Sequence, residues 1–518
     1  MLCFLPAGGK SKVQPTIWLF FLLTFLVSIM KLIKTLLMTT LFSPLYAQQP
    51  ADSLKYKVEA GATVSNGDYA PVWLTANRYG VAGNEADFAY LRAGVEWNKV
   101  LPKHWRIDAG LDLAGGKNLS SKFWVQQAYA DVSWKALTLS IGSKERPGFP
   151  LAKNEKLTSG WMVEGTNMRP IPQVRAEVKD YLNIPGTKGW MAFKGYLSYG
   201  YFTDGGWQED FVAPGQSYMT GVLYHSKSLM FRLGNREKLP VEFEFGLLVS
   251  AQFGGKRMQK NADGSVRLVS DMPQGLKDFW KVFFPKQEST LQNVEGNHCG
   301  SWNFALNYYV GDWKFKAYLE HYFEDHSQMF WQYGRWKDGH IGVEVDFPKN
   351  RWISAVVWEG LNMTDQTGPI LYDGVAGSFS DLQMSGCDSY YNNGEYMGWQ
   401  NYGNSLGHPF LLGPAYNSDG TNSIKGSRVK AQHVGFMGNP SEEWHWRLLV
   451  SYARNWGTYQ IPFDDVKKQF SSLAEVTYQP ERLKGWSFSA ALAVDRGNYP
   501  GNSTGGMLTI RKCGGFGL

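Results

Sequence analysis

Apolar and polar residues alternate one for one along much of this chain. From Val241 to Phe253, the side chains of Val241, Phe243, Phe245, Leu247, Val249, Ala251 and Phe253 share one face, with Glu242, Glu244, Gly246, Ser250 and Gln252 on the other. Trp313, Phe315, Ala317 and Leu319 oppose Lys314, Lys316, Tyr318 and Glu320 in the same way. A period of two marks an extended strand whose faces meet different media. A soluble sheet would bury its apolar face against a second layer, and no helical or sandwich pattern here supplies one. The alternation therefore predicts an all-β fold, a transmembrane antiparallel β-barrel with lipid outside and a polar lumen.

Read this way, the mature chain yields roughly 16–18 strands with long loops and a few short helices. The second half is clearest, with strands predicted near 302–310, 313–323, 341–347, 352–358, 428–436, 446–454, 471–479, 486–495 and 507–513. Their connections alternate in length. Those at 311–312, 348–351, 437–443 and 480–485 are short, and those at 254–301, 324–340, 359–427, 455–470 and 496–506 are long. Outer-membrane barrels have short periplasmic turns and longer outside loops, so this parity puts every long segment outside. Before residue 240 the strand assignment is ambiguous by one hairpin. Trp302, Trp313, Trp352, Trp358, Trp446 and Trp486 fall near predicted strand ends, where an indole suits a membrane interface.

Composition fits a half-lipid, half-water sheet. Aromatic residues make up 15% of the 518, with 21 Trp and 27 Tyr, yet mean hydropathy is −0.32 because only alternate positions face lipid. A net charge of +6 with no dense basic run gives no support to nucleic-acid binding. Met30-Lys31-Leu32-Ile33-Lys34 and the apolar stretch to Tyr46 predict a signal peptide cleaved after Ala47. Residues 1–47 are thus an N-terminal extension plus signal peptide, and 48–518 a single barrel domain beginning at Gln48. A second apolar run, Ile17 to Ile29, reads either as a start codon assigned too early or as an anchoring helix that a barrel makes redundant. Export leaves Cys299, Cys387 and Cys513. With Cys299 and Cys387 both in long outside segments, a bridge between them is one expectation, leaving Cys513 free.

Catalytic signals are poor. The run Glu320 to His326 crowds two His with three acids, but Glu320 and His321 point to opposite faces of a strand, which disfavours a metal site. HExxH and P-loop motifs are missing, so neither an enzyme nor a cofactor is expected. The loop at 385–422 says more. Tyr390, Tyr391, Trp399 and Tyr402 offer rings that could stack on sugars, and Asn392, Asn393 and Gln400 offer amides that could read hydroxyls. Arg335 and Lys337 on a neighbouring loop could meet acidic sugars. The same composition also suits a loop packed on its own aromatics, and both readings stand at this point.

The segments PVWLTANRYG (71–80), SIGSKERPG (140–148), NMRPIPQVR (167–175), YLNIPGTKGWMAFKGYLSYGYFTD (181–204), EGNHCGSW (295–302), EHYFEDHS (320–327), DQTGPILYDG (365–374), YYNNGEYMGWQNYG (390–403) and NWGTYQIPF (455–463) span nearly the whole mature chain. In these the chain resembles the Wzi capsule-assembly family. That resemblance implies an outer-membrane barrel of about 18 strands that acts as a lectin, with capsular polysaccharide, outer-membrane lipid and the capsule export machinery as partners. It also implies a lumen closed by loops and periplasmic helices. The alternative is a diffusion porin for small solutes, with Glu242, Glu244, Lys314, Lys316 and Glu320 lining the lumen. One helix is predicted over Gln274 to Phe284, from Leu276, Phe279, Trp280 and Phe283. Loop parity puts it outside, against the family's periplasmic placement.

Overall fold

A computed structural model describes residues 52–284, 296–324, 329, 337–369 and 385–517, with backbone alone at 367–369 and 385–387. Residues 1–51, with the expected signal peptide and cleavage site, lie outside the described residues. Eighteen strands form one sheet. They are β1 (Ser53–Ser65), β2 (Phe88–Leu101), β3 (Trp105–Lys117), β4 (Phe123–Trp134), β5 (Leu137–Ser143) and β6 (Gln173–Asn183). Next come β7 (Met191–Tyr201), β8 (Leu223–Leu233), β9 (Val241–Phe253), β10 (Asn297–Val310), β11 (Trp313–Phe323) and β12 (Gly339–Asp346). The last are β13 (Ala355–Asn362), β14 (Val429–Gly438), β15 (Trp444–Gly457), β16 (Pro462–Tyr478), β17 (Trp486–Gly497) and β18 (Ser503–Gly517). Each pairs antiparallel with the next, and β1 pairs with β18 from Ser53↔Gly517 to Ser65↔Gly505. The sheet is closed, so it leaves no unpaired edge for lipid to meet.

The barrel is polar inside and apolar outside. On β9, Glu244 is 7% exposed and its neighbour Phe243 is 38% exposed, the reverse of a soluble strand. Leu91, Leu111, Phe123, Leu229, Leu306, Ile341, Leu492 and Leu508 continue the exposed apolar band around the wall. Aromatic pairs mark the ends of strands on the short-turn side. Trp105 with Trp134, Trp444 with Tyr478, and Trp313 with Phe347 have ring centroids 6.3, 4.6 and 4.9 Å apart. Every connection on that side is a short turn, and it also holds both ends of the barrel domain. The ambiguity before residue 240 is thereby removed, and 144–172 and 202–222 join the outside segments.

Several sequence boundaries are corrected. The segment 455–470 is not a long loop: β16 runs through most of it, leaving only 458–461 as the turn. Asp464, Asp465, Lys467 and Lys468 hide this strand because its outer half stands clear of the apolar band. The strand predicted at 352–358 begins at Ala355, because the Asn350 side chain accepts from the N–H groups of Trp352 and Ile353, both at 2.9 Å, and prolongs the turn. The expected helix is present as α3 (Leu276–Phe283), following the shorter α1 (Val72–Thr75) and α2 (Gly205–Phe211). It lies in the connection after β9 and therefore outside.

Candidate functional site: the filled lumen and its outer face

Three outside segments turn back into the barrel. Trp73 and Leu74 of 66–87, Leu157, Met162 and Val163 of 144–172, and Tyr390, Tyr391, Trp399, Leu406 and Leu411 of 385–428 join one continuous hydrophobic core. Inward side chains of the wall, among them Leu248, Tyr322, Leu449, Leu473 and Ala493, complete it. The 144–172 segment reaches deep into the lumen. The Asn154 N–H donates to Glu344 on β12 at 3.0 Å, Lys316 on β11 donates to the Ala152 carbonyl, and Arg447 on β15 donates to the Lys156 carbonyl at 3.0 Å. Lys316 and Arg447 are the fourth residues of their strands from the periplasmic end, only about 10 Å along the strand. The plug crosses most of the barrel.

A buried polar cluster fixes it there. Glu359, on β13, accepts from Thr158 Oγ1 at 2.6 Å, from Ser159 N at 2.5 Å and from Ser159 Oγ at 2.5 Å, and also from the Tyr318 hydroxyl. His340 and His408 lie 3.2 and 3.1 Å from Ser159 Oγ. Lys153 pairs with Glu320 and donates to the Gly160 carbonyl at 2.7 Å. A charge in such a place is tolerable only when paired, so the wall's Glu320 and Glu359 select the chain that docks on them. Burial holds the His408 imidazole well below its usual range. Ser159, His340, His408 and Glu359 are each 1% exposed or less, so this Ser–His–Glu grouping presents no nucleophile to solvent. Among the described residues no group of three His, Cys, Asp or Glu is placed to hold a metal ion, and Asp325 and His326 lie outside them.

Beside the plug, a cavity of about 350 Å³ is lined by wall and plug residues, including Glu59, Arg78, Arg92, Glu145, Arg447 and Arg511. Its charges are largely matched: Arg511 to Glu59 at 2.5 Å, Arg92 to Asp112 at 2.5 Å and to Glu145 at 2.9 Å, and Arg447 to Glu475 at 2.8 Å. The porin-type wall residues are likewise occupied. Glu242 meets Arg232 at 3.5 Å, Glu244 accepts from Tyr181 at 2.8 Å and Asn307 at 2.8 Å, and Lys314 meets Asp346 at 3.6 Å.

The residues predicted to stack on sugar are divided by the fold. Tyr390, Tyr391 and Trp399 are at most 2% exposed, as is Gln400, and form plug core instead of a surface platform. Their polar ends are consumed internally: Trp399 Nε1 donates to the Val163 carbonyl at 2.9 Å, and the Tyr391 hydroxyl to the Met162 carbonyl. Gly407 lies at that meeting point, where a methyl group would strike both the Tyr391 hydroxyl and the Met162 carbonyl. Asn392 turns inward to the Ile424 carbonyl at 2.9 Å, and Asn393 Oδ1 accepts from the N–H of Glu395 at 2.9 Å. Lys337 is exposed and meets Asp365 at 3.4 Å, while Arg335 lies outside the described residues. Cys299 is a buried free thiol 3.8 Å from Glu324, and the Cys387 side chain lies outside the described residues.

Tyr402 alone among those rings stays at the outer surface. Its ring covers the Arg169 guanidinium at 4.0 Å, and its hydroxyl donates to the Thr203 carbonyl at 3.0 Å. Asp204 ties this corner together, accepting from Gln208 at 3.0 Å, Gln400 at 3.0 Å and the Tyr402 N–H at 3.2 Å. Burial raises the Asp204 carboxyl above its ordinary value. Next to Tyr402, Trp207 of α2 touches the chain at Gly403 and stacks on Phe211 with centroids 4.7 Å apart. Trp207 and Phe211 had no sequence signal beyond being aromatic, since only the fold brings 203–211 against 400–403.

Closed wall, apolar belt and outside segments together define an outer-membrane β-barrel. Solved structures agree in fold. The chain is similar to Escherichia coli Wzi, described as a carbohydrate-binding β-barrel involved in group 1 capsule assembly, at 14% identity and TM-score 0.54, covering 88% of this chain and 83% of that one. It is also similar to two Pseudomonas aeruginosa outer-membrane proteins. OccK5 matches at 8% identity and TM-score 0.48, over 90% of this chain and 98% of its own. OprD matches at 8% identity and TM-score 0.47, over 90% and 94%. No protein-family model matches the chain, and no curated protein sequence matches it.

Proposed function

We propose that this barrel is a surface-polysaccharide lectin that supports capsule assembly, and not a diffusion pore. The observation that carries the reading is the filled lumen: 144–172 and 385–428 pack against the wall through a continuous core and through Glu320 and Glu359. That packing occupies lumen space that a solute path would need. The fold likeness to a barrel described as carbohydrate-binding supports the same reading, as does the resemblance of the segments quoted above. The sugar-facing surface is the outer corner of Tyr402, Trp207 and Phe211, where half-buried rings lie beside hydrogen-bonding groups suited to sugar hydroxyls. A long polymer gains by repeated weak engagement along its length, so each contact need contribute little. The deciding experiment measures planar-bilayer conductance and glycan-array binding on the same purified barrel. Negligible current with retention of surface glycans is the expected result; large steady openings without glycan binding would favour a porin.

A further inference from the structure

Two outward positions of β8 break the apolar pattern of the wall. Parity along β8 sends His225, Lys227 and Leu229 to the lipid side, and Leu229 is 47% exposed there. A lysine facing lipid is unfavourable unless something covers it. Helix α3 does so. Its Phe279 ring lies 5.2 Å from Tyr199 and 5.0 Å from Phe253, both outward residues of neighbouring strands. The Tyr199 hydroxyl donates to the Phe279 carbonyl at 2.9 Å. Lys227 Nζ donates to the Phe283 carbonyl at the helix C-terminal end, where a cation is favoured, and lies 4.5 Å from that ring. His225 beneath it and Val282 on its inner face are fully buried. The helix is therefore seated on the outer wall, near the outside ends of β7 to β9, and not over the mouth of the lumen.

Its other face is apolar and, among the described residues, uncovered. Leu276, Trp280 and Phe284, spaced by four residues and so on one side of the helix, are 60%, 67% and 50% exposed. We propose that this face is an outer-leaflet lipid site, filled by acyl chains of the surrounding leaflet, with exposed Lys277 and Lys281 on the helix at the level of the lipid phosphates. The occupant follows from continuity and charge. The face extends the lipid band of Leu229 and Phe243 upward, and two cations flank it where anionic headgroups begin. An indole at this depth has the amphipathic character that interfaces select.

The test uses the full mature barrel with Cys387→Ser and Cys513→Ser, labelled at Trp280→Cys with an environment-sensitive NBD fluorophore. It is reconstituted in phosphatidylcholine vesicles containing lipopolysaccharide. Loss of emission with doxyl-labelled phosphatidylcholine, and protection from aqueous iodide, is expected, as at a Leu229→Cys reference and unlike Ala262→Cys in the turn between the paired strands Lys256–Lys260 and Val266–Asp271 of the same outside segment. Iodide quenching without doxyl quenching overturns the proposal. So does protection from both with a cross-linked dimer, which would mean that a second copy covers the face. Leu276→Cys repeats the measurement should the Trp280 variant lack the heat-modifiable mobility of a folded barrel.

Discussion

Ser159 Oγ and the Glu359 carboxylate lie 2.5 Å apart inside the barrel, one on a segment that enters from outside and the other on a wall strand. The contact joins two parts of the chain that lie 200 residues apart in sequence. Glu359→Ala would strand Thr158, Ser159 and Tyr318 without their shared acceptor. Removing one partner of a buried charged cluster costs about 3 kcal/mol or more. The expected outcome is a lower unfolding temperature together with intermittent conductance in planar bilayers. A variant that stays silent and fully stable would show that the plug does not depend on this cluster.

Trp399→Ala and Tyr402→Ala should separate, although only two residues lie between them. Trp399 is a fully buried plug ring, and its loss should destabilise the barrel by about 3–5 kcal/mol, read as a fall in thermal midpoint. Tyr402 sits at the surface over Arg169. Its truncation should weaken glycan retention while shifting stability by about 1 kcal/mol. Equal effects of both on stability, with none on glycan, would remove Tyr402 from the binding surface.

Cys513 is exposed and points into the lumen from β18, near its periplasmic end, beside Lys57 and Tyr129. A small membrane-impermeant maleimide added to intact cells should leave it unmodified, because the plug stands between it and the medium. Permeabilising the outer membrane should expose it, with Cys299 still protected until unfolding. Rapid modification from outside would mean an open lumen.

Asp338 precedes β12 and accepts from the N–H groups of Asp365 at 2.8 Å and Gln366 at 2.6 Å. Burial nevertheless pushes its carboxyl up to about 6. The folded barrel therefore holds this proton more tightly than the unfolded chain, where an aspartate titrates near 4. The stabilising contribution is present below about pH 4 and is lost as pH rises to about 6. The difference in thermal midpoint between wild type and Asp338→Asn, followed across that range, should change sharply below pH 6 and level off above it. A constant difference would contradict the assignment.

The wall was legible because each strand separates two media, and a residue's face then follows from its parity. β9 is legible at both ends for that reason. Strand β16 was not, since Asp464 to Lys468 lie above the lipid band, where alternation no longer discriminates. The site is less legible. Tyr, Trp and Asn in 385–405 are suited both to sugar rings and to a plug whose polar tips bond to backbone, and composition does not say which medium a loop faces. Only the wall's Glu320 and Glu359, buried and requiring partners, would have pointed to the segment that fills the lumen, and nothing in their local sequence names that partner.

The segments that fill the lumen are each spliced at both ends between neighbouring strands: 144–172 between β5 and β6, and the longest between β13 and β14. A stopper held in this way is captive. It cannot be expelled into the medium like a cork and can yield only by unravelling in place, with its tethers still sewn to the rim. On the proposed reading of a closed barrel, whatever crosses it would have to melt part of its interior first, so any transport would carry the energetic signature of local unfolding and a steep dependence on temperature.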